Sequence, residues 1–181
     1  MGRKSILLLI VVAAVAYFYF RTPSADSVVK KMHVDIENMT IEYGGVTYSA
    51  EWGGETSHAG DIRYIGRAYD KNAPYITNDA VVTTGEFSDP SIVHITPIRK
   101  GSMSWRAQKQ PKGTLVVLHF IPASLTVYND LKQIEEGDTV EFIGREEVNS
   151  RIEGSDGSFI GLTHSNHKFL LLDEVYQLET E

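Results

Sequence analysis

Residues 5–20, SILLLIVVAAVAYFYF, form an unbroken apolar run with no charged side chain in it. Crossing a bilayer as a helix takes about 20 apolar residues, with roughly 17 as the lower limit. The run sits just under that, and Tyr17 and Tyr19 at its far end suit the aromatic belt of a membrane interface. A core helix would show a polar stripe, and this run shows none. Two readings compete. A cleavable signal peptide would use Arg3 and Lys4 as its basic start and Ala14-Val15-Ala16 as its cleavage site. Cutting there would leave Tyr17-Phe18-Tyr19-Phe20 as the new terminus, so we take the run as an uncleaved anchor. Arg3 and Lys4 then mark the cytoplasmic end, which puts the rest of the chain in the periplasm or otherwise outside the cytoplasm. The partner this implies is the lipid bilayer, and a protein partner at the membrane fits the same reading.

The first 25 residues hold three of the chain's 17 Lys and Arg and none of its 24 Asp and Glu. The remainder therefore carries 14 bases against 24 acids, a net charge of −10. A nucleic-acid binder usually presents a basic stripe, so nucleic acid is not an expected partner. With 0 cysteines, stability must come from packing. The expected organisation is a membrane anchor over 1–23, a juxtamembrane helix over 24–39, and one β-rich globular domain over 40–181. About 155 residues are enough for a single core.

Val29, Met32, Ile36 and Met39 recur at helical spacing, which predicts a helix over 25–38 capped by Ser24. Strands over 40–43 and 46–52 flank Gly44-Gly45, the composition of a two-residue hairpin. GGETSHAG at 53–60 reads as a loop, and 61–69 as a strand paired on both sides. Further expectations are a turn over 72–78, a strand over 80–84, a short helix over 91–95 opened by Ser88-Asp89-Pro90, and a strand over 102–107. TLVVLHF at 114–120 is the strongest buried strand, stopped by Pro122. Ser124 caps a helix whose stripe is Leu125, Tyr128, Leu131 and Ile134 and which Gly137 ends. A strand over 139–148 bends at Gly144, where a positive φ is expected. A polar hairpin tip at 153–158 leads into final strands over 159–163 and 168–178. The fold class is α+β, mostly antiparallel β: a small OB-like β-barrel with one or two short helices. The helix falls between the third and fourth main strands, as in such barrels.

Residues 79–95 with the Phe87-Ser88-Asp89-Pro90 turn, the Trp105-Arg106 strand, His119-Phe120-Ile121-Pro122-Ala123, and Gly137-Asp138-Thr139-Val140 leading to Gly144 carry a resemblance. In these stretches the chain resembles a family of small, uncharacterised bacterial membrane-anchored proteins with an N-terminal transmembrane helix and an OB-like C-terminal domain. The resemblance implies an anchor plus a domain and brings no activity with it. Family members carry a Trp-rich segment and a Thr-Gly-rich turn that residues 155–167 lack.

No catalytic, metal or cofactor signature stands out, and no cofactor is expected. His164 and His167 are spaced as a metal pair would be on a helix, but on a hairpin that spacing puts them on opposite faces. His119 lies inside an apolar strand, where a hydrogen bond to a backbone group accounts for it better than a role as general base. There is no Gly-x-Ser-x-Gly, and neither Gly44-Gly45 nor Gly53-Gly54 has a phosphate-loop context. Trp52, Tyr64, Trp105 and His119 are the candidate ligand contacts, the three aromatics as a platform on strands. The expected function is a membrane-tethered binding or interaction module. The alternative is a membrane-associated, hydrolase-like enzyme whose site is assembled from distant residues.

Overall fold

The computed structural model describes residues 23–68, 70, 72–97, 103–162 and 164–179. The apolar run at 5–20 lies outside them. Among the described residues no helix is long and apolar enough to cross a membrane.

The fold is mostly antiparallel β, with two short α-helices among the described residues. Five strands close into a barrel: β4 (Trp52–Arg67), β5 (Asn78–Thr83), β8 (Leu115–Pro122), β12 (His167–Leu178) and β9 (Thr139–Glu147), in that order around the wall. Only β8 and β12 run parallel; the other neighbours are antiparallel. Closure is uneven, with register shifts between Trp52 and Glu55, Ile62 and Tyr64, and Leu172 and Glu174. Strand alternation sends Ile62, Val82, Leu118, Phe120, Val140, Phe142, Leu170 and Leu172 into the barrel. The helix α2 (Leu125–Leu131) follows β8 and closes one end with Val127 and Leu131, while Ile134 just beyond it joins the same core. Its Ser124 cap is as expected, the hydroxyl accepting from the Val127 amide at 3.2 Å.

A second sheet runs β1 (His33–Asp35), β2 (Thr40–Tyr43), β3 (Val46–Ser49), β10 (Arg151–Gly154) and β11 (Phe159–Gly161). A second core lies between this sheet and the outer wall of the barrel. It contains Ile41, Tyr48, Tyr75, Ile121, Ile152, Phe169 and Leu171. The remaining strands, β6 (Val93–Pro97) and β7 (Met103–Ala107), form a two-stranded ribbon. Arg63 on β4 holds it by donating to the carbonyls of Phe87 and Val93.

Several expectations need correction. The helix over 25–38 is only α1 (Ala25–Val29), because His33–Asp35 pairs with β2. The Asp35 carboxylate accepts from the Asn38 amide at 3.0 Å and turns the chain, so a sheet ladder replaces the continuing helix. Ala25 and Val29 pack on Tyr128 of α2. Residues 53–60 are part of a 16-residue strand, not a loop. Their backbone groups are taken up by β9 from Trp52 opposite Glu147 to Asp61 opposite Thr139. Gly60 is needed there because a Cβ would overlap the Thr83 carbonyl. The helix over 91–95 is absent. Asp89 accepts from the amide and hydroxyl of Ser91, both at 2.7 Å, making a turn, after which β-branched Val93, Ile95 and Thr96 extend as strand. The helical turn lies earlier, as a 3₁₀ turn over Gly85–Ser88. Gly44 and Gly45, with φ of 63° and 83°, do make the two-residue turn.

Candidate functional site

Barrel alternation places His119 on the outside of β8, and the register sets it opposite Asp79 on β5 and Phe169 on β12. Asp79, His119 and His167 are all buried, at 8%, 6% and 7% exposure. They form a hydrogen-bonded row. His119 Nδ1 donates to Asp79 Oδ1 at 2.7 Å, and His119 Nε2 lies 3.1 Å from His167 Nδ1. Two proton placements satisfy the row: His119 Nε2 accepts from a neutral His167, or a protonated His119 donates to it. The partner of His119 is thus a carboxylate and a second imidazole rather than the backbone group expected. His164 and His167 do not diverge as a hairpin would demand. Residues 164–166 are a turn, and the two rings sit 5.2 Å apart, with His164 exposed. Among the described residues no cluster of three His, Cys, Asp or Glu could hold a metal.

Burial depresses the His167 pKa to about 4, with the neighbouring His119 and His164 adding to the effect. In the unfolded chain His167 takes a proton near 6.5. Between those pH values the unfolded state binds more protons, so this contribution is complete above about pH 6.5 and is lost as pH falls toward 4. After allowance for solvent screening at the rim it is on the order of 1–2 kcal/mol. Urea unfolding of the full chain at pH 7.5 and 4.5 should therefore show a smaller pH difference in His167→Gln than in the parent. Equal differences would contradict the assignment.

The second feature is an open cleft of about 540 Å³ between three turns. Tyr43 and Tyr48 come from the β2–β3 hairpin, Asn72 and Pro74 from the β4–β5 connection, and Asp156 and Phe159 from the β10–β11 hairpin. Its walls are fixed from behind. The Tyr48 ring meets the fully buried Tyr75 at 4.4 Å between centroids. Ser155 and Thr47 exchange hydrogen bonds of 2.8 and 3.2 Å, tying the β10–β11 tip to β3. Asp156 Oδ1 accepts from the amide and hydroxyl of Ser158 at 3.0 and 2.5 Å, which holds its pKa below the ordinary carboxylate value. Burial, with Asp156 nearby, pushes the Tyr48 hydroxyl up, so it stays a donor. Phe159 is 61% exposed, with the Arg151 guanidinium 4.4 Å from its ring centroid.

The four residues singled out from sequence lie in different surroundings. Trp52 packs against the second core and donates from Nε1 to the Met39 carbonyl at 3.2 Å. Tyr64 is half-buried on β4 beside Gly66. Trp105 is 38% exposed on β7, edge-on to Phe87 at 5.2 Å. His119 is in the buried row. The cleft was not anticipated, since its residues come from three turns that each read as ordinary connections. Asp79 carried a usable signal: it directly precedes the apolar run Ala80-Val81-Val82, in a strand buried on both faces, so its carboxylate must meet a donor. No family model, curated protein or solved structure matches this chain.

Proposed function

We propose that the chain is a membrane-tethered binding module, its N-terminal helix in the bilayer and its domain on the extracytoplasmic side, with the ligand held in the three-turn cleft. The open cleft carries this reading: it combines exposed and half-exposed aromatic faces with a few fixed polar groups, the usual make-up of a binding site. Asp156 is its only charged lining residue among those described, and one of its oxygens is already engaged. An OB-like barrel is the finer reading of the fold. It is supported by the wall order first, second, third, fifth, fourth, by the parallel third and fifth strands, and by the helix after the third. A hydrolase-like enzyme is the second reading, favoured by the Asp79–His119 bond, which is the carboxylate–imidazole pairing of a general base.

The test uses full-length protein solubilised from membranes and immobilised, exposed to small-molecule and oligonucleotide libraries. The expected result is a small ligand whose retention is lost in Tyr43→Ala and kept in His119→Asn, with no oligonucleotide held at physiological salt. A ligand that is chemically converted, and whose conversion stops in His119→Asn, would replace the binding reading with the enzyme one. Carbonate washing should leave the protein in the membrane pellet; release would end the tethered part of the proposal.

A further inference from the structure

Resting on the binding reading above, we infer that the three-turn cleft takes an uncharged saccharide. The lining chemistry decides among ligand classes. Phosphate-bearing ligands are disfavoured by Asp156 and by a chain of net charge −7. An extended peptide would be expected to add to a strand edge, whereas Gly44, Pro74 and Gly157 make the walls turns rather than ladders. A purely apolar ligand would leave the Tyr43 and Tyr48 hydroxyls, the Asn72 amide and the Asp156 carboxylate without exchangeable partners. A sugar ring answers both halves of the lining. Its C–H face lies against an aromatic ring, Tyr43 or the side of Phe159 that Arg151 does not cover, and its hydroxyls meet groups that donate and accept. Ser158 holds Asp156 Oδ1 and lowers the carboxyl pKa, so the group is ionised and its Oδ2 can accept from a ligand hydroxyl. The same negative charge would turn away uronate sugars.

The experiment uses the full chain in a detergent without a sugar headgroup. Oligosaccharides of neutral hexoses, N-acetylated amino sugars and uronates are titrated by calorimetry. Neutral oligosaccharides of one of the first two kinds should bind with a Kd between about 1 μM and 1 mM, and uronates at least about tenfold more weakly. Tyr43→Ala and Phe159→Ala should each weaken binding about tenfold or more, as for anchor residues of an interface. Asp156→Asn should weaken neutral ligands and narrow the discrimination against uronates, while Trp105→Ala, on the distant ribbon, should change nothing. Far-ultraviolet spectra and melting curves identify any variant that has unfolded, and the remaining cleft variant then carries the test. Binding that survives both aromatic substitutions overturns the inference. A non-saccharide ligand held in the cleft, with no saccharide bound, also overturns it and leaves the binding reading standing. No ligand of any class bound by the parent protein removes both.

Discussion

Replacing Gly144 by valine is expected to cost about 3–5 kcal/mol, the upper range for a single substitution. The reason differs from the one the sequence pointed to. Gly144 lies opposite Leu172, where β12 shifts register between Leu172 and Glu174, but it is not among the glycines of positive φ. What it supplies is room. A Cβ built on Gly144 would overlap the Leu171 carbonyl oxygen, and its next neighbours are Leu171 and Leu172 backbone atoms. Backbone cannot rotate away as a side chain can, and Gly144 is paired on its other side to Thr56 of β4. The strand is therefore clamped between two barrel neighbours. Alanine should already be destabilising, and valine more so. Urea unfolding of Gly144→Ala and Gly144→Val measures this; a valine variant within 1 kcal/mol of the parent would show that the strands there are further apart than described.

The second large effect is expected at the buried row. Asp79→Ala removes the acceptor of His119 Nδ1 and leaves an imidazole with a donor facing a cavity. A loss of about 2–4 kcal/mol follows from an unpartnered buried group at this depth. His119→Ala alone should cost a similar amount, since it leaves the Asp79 carboxylate buried without its partner. The double variant should cost clearly less than the sum of the two, because the pair is removed together. Equilibrium unfolding of the three variants closes the cycle. Strict additivity would mean that the 2.7 Å bond contributes nothing and that the row is only a neighbourhood.

The parts of the fold that could be read from sequence share a local cause. Ser124 caps a helix through its own hydroxyl, Gly44-Gly45 turn through their own φ, and 115–122 is a strand by its own β-branched run. The parts that could not be read depend on partners far along the chain. Residues 53–60 look like a loop until β9 supplies a ladder from 80 or more residues away. The helix expected over 25–38 gives way because β2 captures His33–Asp35. His119 announced itself as a polar residue in an apolar strand. Its partners, however, lie 40 and 48 positions away and are set by strand register. The cleft is the extreme case, since Tyr43, Asn72 and Asp156 are unremarkable turn residues until sheet order gathers their hairpins.

On the proposed function, ligand binds at the three-turn cleft and not at the buried histidine row. Amide hydrogen exchange of the full chain, with and without any ligand captured in the screens above, tests it most directly. Slowed exchange confined to residues 43–48, 72–75 and 155–159 is the predicted result, because a ligand there would bridge three turns and oppose their local opening. Protection centred on Asp79, His119 and His164–His167, with the cleft turns unchanged, would contradict it and move the site to the imidazoles.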